Sequence, residues 1–435
     1  MKMKYLTIVF LILLPGVLAF GQNSFQNWLP KKDGFKIEPF IMVQLWSSYT
    51  TGQEVYNPEQ KQYELVDDRF NVQLRRARLG FRAEPYEGLR FTVVGAYDLI
   101  GRDVLTGQVG GTNNGSLPEF GIWDAFFQWR LKKGSEAFNV VGGYFRPQLS
   151  RESITSGWAV NSMEKSMSQN YIRKHLVGTG PGRAAGINLG GLLLDGNGGL
   201  GLNYNLGVFN PLTLANNGNS TGSAFAPLFA GRAVIYLGSP EMDKYKIGYN
   251  INYFGQRKGL SVGAGGAWQG RTDVFESSYA ASADFLFNWG PLNVDGEWNL
   301  MWREGSRPLA DDVERNFTYS SNTGHLRLGY NIIVGKKAFL EPSFMLMQFN
   351  GARSLDGQAD AKAVGASSGA ERTYDAGINW YLNKTNLKLM LHYTWHEGDA
   401  GEAAPGFAGN QYFSQSDVGA IHRGNWLGLG VNAVF

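Results

Sequence analysis

Residues 35 to 50, FKIEPFIMVQLWSSYT, set the pattern of the chain: Ile37, Ile41, Val43 and Leu45 take odd positions, while Lys36, Glu38, Gln44 and Ser48 take even ones. Alternation with a period of two predicts a strand with one apolar and one polar face. Residues 371 to 382 repeat it, with Tyr374, Ala376, Ile378, Trp380 and Leu382 opposite Thr373, Asp375 and Asn379. So do residues 385 to 397, where Leu387, Leu389, Leu391, Tyr393 and Trp395 face away from Lys388, His392, Thr394 and His396. No stretch shows a helical period of comparable clarity.

A soluble β-sandwich alternates as well, so the connections decide what solvent the apolar face meets. Compact turns at 85–88, 132–135, 195–198, 290–291, 335–337 and 383–386 take turns with long polar connections near 51–66, 99–119, 148–182, 210–226, 303–317, 350–370 and 398–420. Short turns on one rim and long loops on the other predict an all-β fold, a transmembrane antiparallel β-barrel. Counting with that parity gives about sixteen strands of about ten residues, with both termini on the short-turn, periplasmic side. YKIGYNINYF, within residues 244 to 256, reads as an extension beside a periplasmic turn; taken as a full strand it leads to the alternative of about eighteen. Closure is physically required, because an unpaired backbone N–H or C=O in hydrocarbon costs several kcal/mol. Tyr49, Phe81, Tyr97, Trp129, Tyr330 and Trp395 are placed to form interfacial girdles. The closing segment, GNWLGLGVNAVF, alternates through Leu427, Leu429, Val431 and Ala433 to a terminal Phe435, and resembles the signal read by the outer-membrane assembly machinery.

The amino-terminal Met-Lys-Met-Lys, the apolar run from Tyr5 to Phe20 and Gly21-Gln22 have the three parts of a secretory signal. The expected division is therefore a removed signal at 1–21, a short periplasmic segment at 22–34 and the barrel at 35–435. After residue 20 no apolar run reaches the roughly twenty residues a membrane helix needs. The predicted site is the bacterial outer membrane, with its lipids as the first partner. Cysteine is absent, which removes disulfides, thiolate metal sites and cysteine nucleophiles. The formal charge is only +3, two units of it from Lys2 and Lys4, so nothing favours a nucleic-acid partner.

Parity then assigns the charged side chains. With Ala77, Leu79 and Phe81 on the lipid face, Arg76, Arg78 and Arg82 point into the lumen, Arg90 joins them from the next strand, and Arg130 and Lys132 follow from residues 124 to 132. Same-face neighbours along a strand lie about 6.6 Å apart, so these form a ladder that can pass an anion along or a solvated wall with counter-charges nearby. Acidic lumen positions gather on later strands at Asp295, Glu297, Glu341 and Asp375, so the pore either prefers anions or carries a transverse field suited to small solutes of either sign. His392 and His396 share a face but sit about 13 Å apart, too far for one metal. Gly178-Thr-Gly180-Pro-Gly182-Arg183 lacks a following helix pattern, Gly335-Lys336-Lys337 lacks the spacing of a nucleotide loop, and no Gly-x-Ser-x-Gly elbow occurs. No metal, cofactor or catalytic set is expected.

Several segments, in order, resemble the phosphate-selective porin O and P family: RFNVQLRRARLGFR at 69–82, VVGGYFRPQLSRE at 140–152, Met163-Glu164-Lys165-Ser166, Gly182-Arg183-Ala184-Ala185-Gly186-Ile187, NYNLGVFN at 203–210 and GINWYLN at 377–383. The resemblance implies a homotrimer of barrels, each with an inward-folded constriction loop, and basic side chains that draw anions through. On residues 148 to 182 that loop supplies Arg151, Lys165, Arg173, Lys174 and His175; a connection so much longer than a hairpin is usually functional or disordered, and the alternative is an ordinary extracellular lid. Two features depart from the family pattern: residues 22 to 34 are short for a trimer-holding periplasmic helix, and the net charge is near neutral. The expected function is passive diffusion of small hydrophilic solutes, with anion or phosphate preference through the arginine ladder. The alternative is a porin-like barrel that docks other outer-membrane proteins.

Overall fold

The computed structural model describes residues 36–108, 116–195, 199–211, 224–308, 313–402 and 409–435. The expected signal and the 22–34 segment lie outside the described residues, as does most of the 195–198 turn.

One sheet of 17 strands contains a two-residue piece, Ile332–Ile333, and sixteen longer strands. In chain order these are β1 Lys36–Thr51, β2 Arg69–Tyr86, β3 Leu89–Ile100, β4 Gly121–Arg130, β5 Asn139–Phe145, β6 Ala184–Leu194, β7 Leu200–Asn210, β8 Leu228–Gly238, β9 Lys258–Gln269, β10 Ser277–Trp289, β11 Leu292–Pro308, β12 Glu314–Tyr330, β13 Phe339–Asn350, β14 Ala370–Tyr381, β15 Leu387–Asp399 and β16 Asn425–Val434. Every neighbour pair is antiparallel, and β1 pairs with both β2 and β16, from Met42↔Val434 to Thr51↔Asn425, so the sheet has no edge. The count of sixteen stands, and the alternative of eighteen falls.

The distribution of polarity is inverted relative to a soluble protein. Leu79, Leu206, Leu391 and Leu429 are exposed on the outside, while Asn188, Asn203, Asn205, Thr323, Asn379 and Asn432 are buried within. The alternation read from β1, β14 and β15 holds residue by residue: Ile41, Ile378, Trp380, Leu391 and Tyr393 face out, and Gln44, Asp375, Lys388 and His392 face in. Of the expected girdle rings, Tyr49, Phe81, Tyr97, Trp129 and Tyr330 are exposed, and Trp395 is half-buried, stacked on Tyr374 at 5.0 Å.

Two features of the connections differ from the expectation. Residues 303–317 are mostly strand, because β11 runs to Pro308 and β12 starts at Glu314. More consequentially, the connection between β8 and β9, on the short-turn rim, is long, contains no strand and folds into the barrel, burying Glu241, Met242, Tyr245, Tyr249 and Ile251. The Tyr245 hydroxyl donates to Asn205 Oδ1 at 2.5 Å and that of Tyr249 to Asn203 Oδ1 at 2.6 Å. Its aromatic alternation faces a polar wall, which is why it resembled a strand. Helices also appear where no period announced them: α1 Arg151–Ile154 and α2 Ser168–Val177 in the connection after β5, and α3 Leu355–Ala363 after β13.

If the outer face meets lipid, Leu79→Arg near the middle of β2 should cost about 2–4 kcal/mol of folding stability in bilayers. Thr92→Arg, on the lumen wall, should cost much less. Urea titration of vesicle-folded protein measures both, and equal costs would contradict the assignment of faces.

Candidate functional site

Two β-bulges shape the wall that faces the inward-folded loop. Between β1 and β2 the register passes from Gln44↔Arg76 to Leu45↔Leu74, leaving Arg75 as the extra residue. Between β3 and β4 it passes from Val94↔Asp124 to Gly95↔Ile122, leaving Trp123. A bulge places two consecutive side chains on one face. Arg75 therefore points inward beside Arg76, and Trp123 is buried at 4 % exposure beside Asp124. Strict alternation had sent Arg75 to lipid; it is a lumen residue that the sequence reading missed.

The connection from residue 146 to 183 crosses the lumen and is pinned on both sides. On the β2 side, Arg75 Nη2 lies 2.6 Å and Arg76 Nη2 2.5 Å from the Glu164 carboxylate, and Arg76 also donates to Gln44 at 2.5 Å. Burial alone would raise the Glu164 carboxyl, but Arg75 and Arg76 outweigh it and hold it at about 2. The pin is thus at full strength above the ordinary carboxylate range and fades only as the pH falls towards 2. On the opposite side Arg327 is shared by Glu152 (2.9 Å) and Asp295 (2.8 Å), and Arg151 is held bidentately by Glu241 at 2.7 and 2.8 Å and by Asp284 at 3.0 Å. The Arg151–Glu241 pair ties the loop to the segment that enters from the periplasmic rim, so the lumen is filled from both ends.

This occupancy corrects the expected roles of the loop cations. Arg151 is consumed by its two carboxylates. Lys165 and Arg173, together with Arg146, donate to the backbone carbonyls of residues 152–155 at and just beyond the end of α1: Lys165 to Glu152 and Thr155, Arg173 to Ser153, Arg146 to Ser153 and Thr155. Carbonyls at a helix end lack intrahelical partners, and cations there are favoured. These three side chains hold the loop's shape. Lys174 alone of the four predicted loop cations is half-buried and lines an open chamber. His175 is buried, its Nε2 2.8 Å from the Tyr279 carbonyl.

The acidic positions also do not form an open wall. Glu297 accepts the Glu152 amide and the Ser168 hydroxyl, both at 2.8 Å. Glu341 accepts from Asn161 at 3.1 Å, Asn252 at 3.0 Å and Tyr381 at 2.7 Å, and Asp375 accepts the Met163 amide at 3.3 Å beside His392 at 2.8 Å. All four acidic positions are inside the barrel; Glu297, Glu341 and Asp375 dock the infolded segments, and Asp295 pairs with His325 and Arg327 of the wall. Glu152, Asp295 and His325 bring three potential ligand atoms together, yet Arg327 already supplies the positive charge between the two carboxylates, so the group does not fit a metal.

What remains open lies off-centre, in two chambers beside β4. On the outer side a chamber of about 580 Å³ is lined by Leu117, Trp123, Tyr144, Tyr171, Lys174 and Arg183 among others. On the periplasmic side a chamber of about 360 Å³ is lined by residues that include Glu38, Arg82, Arg90, Asp124, Arg146 and Lys246. Trp123 lines both, and the guanidinium groups of Arg78 and Arg183 stack on its ring at 3.9 and 3.7 Å. Of the predicted ladder, Arg76 and Arg78 are inward but paired, Arg78 with Asp98 at 2.9 Å, whereas Arg82 and Arg90 face the periplasmic chamber. Arg130 sits at the periplasmic end of β4 between Glu87 and Glu136 at 3.2 and 2.9 Å. Lys132 is exposed on the turn after β4, two residues past the end of the strand at Arg130. Sequence reasoning missed Trp123, Arg146 and Arg183 as path residues.

A closed sixteen-stranded antiparallel barrel with an apolar exterior and an infolded loop after β5 is the architecture of the bacterial outer-membrane porins. The model of the phosphate-selective porin O and P family matches residues 52–235. No curated protein matches the chain. Among solved structures, the chain is similar to Salmonella typhi OmpF, determined with daunomycin, at 13% identity and a TM-score of 0.55, covering 93% of this chain and 99% of that one. Pseudomonas putida OprB matches at 11% identity and a TM-score of 0.53, over 92% and 94%. An anion-selective porin from Comamonas acidovorans matches at 13% and 0.50, over 92% and 100%. At such identities the likeness is one of fold.

Replacing Arg327 by Met removes the cation between two fully buried carboxylates, a loss of about 3–5 kcal/mol to loop docking. Single-channel current in planar bilayers should rise and become noisy, and trypsin should gain access at Lys165 and Arg173. A quiet current of unchanged size with no new cleavage would refute the pinning.

Proposed function

We propose that this barrel is a passive pore for small hydrophilic solutes that prefers anions, and that the solute passes between the infolded loop and the β2–β4 wall. The observation that carries the preference is the balance of charge on the two chambers. The outer one is lined by Lys174 and Arg183 with no carboxylate among its described lining residues, and the periplasmic one sets Arg82, Arg90, Arg146 and Lys246 against Glu38 and Asp124. Fixed charge of one sign in a narrow, low-dielectric passage concentrates the opposite ion. The cationic ladder is thereby shorter than sequence parity suggested. Arg76 acts through the loop it holds, while Arg82 and Arg90 meet the solute. Assembly as a homotrimer, which the family resemblance implies, belongs to the same reading.

Across a potassium chloride gradient in a planar bilayer, the reversal potential should take the sign of anion preference and shrink as salt screens the walls. Arg82→Glu/Arg90→Glu should abolish most of it, whereas Arg76→Ala should mainly enlarge the current by loosening the loop. A cation-preferring wild type, or a double variant with its preference intact, would overturn the reading.

A further inference from the structure

The outer chamber carries two donors that the fold leaves unused. Arg183 is 1 % exposed, and its fork is fixed on two edges: Nε donates to Asp124 at 3.1 Å and Nη1 to the Pro181 carbonyl at 2.6 Å. Its Nη2 is buried and has no hydrogen-bond partner. The same holds for the indole Nε1 of Trp123, the ring on which Arg183 stacks at 3.7 Å. A buried donor without an acceptor is costly, and two of them on stacked residues that line one chamber mark the place for an acceptor.

The chemistry of that acceptor follows from the walls. An anion is favoured, since Arg183 and Lys174 are the charged residues of the lining and the carboxylate of Asp124 is spent on Arg183 Nε. Two N–H donors match the two oxygens of one carboxylate. A free phosphate, with three or more strong acceptors and a charge near −2, asks for more donors than this pair supplies, while Leu117, Pro181 and the rings of Tyr144 and Tyr171 give the lining apolar surface beside the polar side chains of Asn170, Thr179, Asn410 and Gln411. That apolar surface suits an apolar or aromatic body, and a volume of about 580 Å³ lies within the range of small-molecule sites.

Building on the pore reading, we propose that the outer chamber is a binding subsite for organic carboxylates with an aromatic body, the head on Arg183 Nη2 and Trp123 Nε1 and the body against Tyr144 and Leu117. Such a subsite would collect the solute at the outer mouth and deliver it to the Trp123 ring, the surface common to both chambers. The bulge in β4 is what makes it possible, because without it Trp123 would face lipid.

The probe is benzoate, compared with acetate and inorganic phosphate, on the full chain. Added at the outer side of a planar bilayer in chloride, benzoate should interrupt the current at concentrations where acetate and phosphate do not. Trp123→Phe keeps a ring for stacking and deletes the N–H, and Arg183→Lys removes the open edge of the fork. Each should raise the half-blocking benzoate concentration about fivefold, the worth of one hydrogen bond. Phosphate blocking as well as benzoate, or both variants blocked like the wild type, would overturn the subsite. Calorimetric titration of benzoate into the detergent-solubilised protein separates the two readings. Binding without any chloride current would sink the pore and keep the subsite, whereas current without benzoate binding would do the reverse.

Discussion

Everything in this molecule follows from the pairing of β1 with β16. A sheet bounded by hydrocarbon cannot leave a row of backbone donors and acceptors open, so the first and last strands must find each other, and the ten-residue register from Met42↔Val434 to Thr51↔Asn425 closes it. Closure fixes which face of every strand meets lipid. It also fixes the interior: with one face of sixteen strands turned inward and lipid reserved for apolar groups, the lumen inherits the polar half of the sequence.

An interior so polar must find partners of its own. Arg75, Arg76, Arg151, Arg232 and Arg327 are all nearly or wholly buried, and a buried charge without a counter-charge is far more costly than one in water. The chain resolves this with two infolded segments. The loop after β5 brings Glu152 and Glu164 to Arg327 and to Arg75 and Arg76; the segment between β8 and β9 brings Glu241 to Arg151. The charges that parity assigned to a wet wall are thereby converted into docking contacts, and the two open chambers lie to the side, where both border Trp123.

What the sequence disclosed and what it withheld divide along this line. Strand parity was legible at β1, β14 and β15 because the bilayer imposes it one residue at a time: a lysine at 388 and a leucine at 389 have only one sensible arrangement. Arg76 and Arg78 were placed correctly for the same reason. Arg75 was not, although a signal was present, since two consecutive arginines in a spanning strand cannot both obey alternation when one facing lipid near the midplane would cost about 2–4 kcal/mol. A bulge is the inexpensive resolution. Trp123-Asp124 gives no such warning, because a tryptophan is welcome on either face. The fates of Arg151, Lys165 and Arg173 depended on which strands stand opposite one another across the lumen, a long-range fact that local spacing does not encode. Residues 244–256 misled in a further way: Tyr245, Tyr249 and Tyr253 alternate like a membrane strand, but a tyrosine has a hydroxyl, and here two of the three donate theirs to the asparagines Asn205 and Asn203 of the wall.

The two bulges also explain why the open route lies where it does. In a regular sixteen-stranded sheet each strand contributes to the lumen only every second residue, so the density of functional groups on any one patch is limited by the pleat. The wall formed by β1–β4 escapes that limit at Arg75 and at Trp123, and gains an additional inward side chain at each. One gain is used to seize the loop through Glu164; the other supplies an aromatic surface flanked by Arg78 and Arg183. The loop is held by its acidic residue at Arg75 and Arg76, and its far end meets Trp123 through Arg183, so both additional side chains are contact points for it. The irregularities that anchor the obstruction therefore include the one that sets Trp123 on both chambers, and a barrel with unbroken alternation on these strands would turn neither Arg75 nor Trp123 inward.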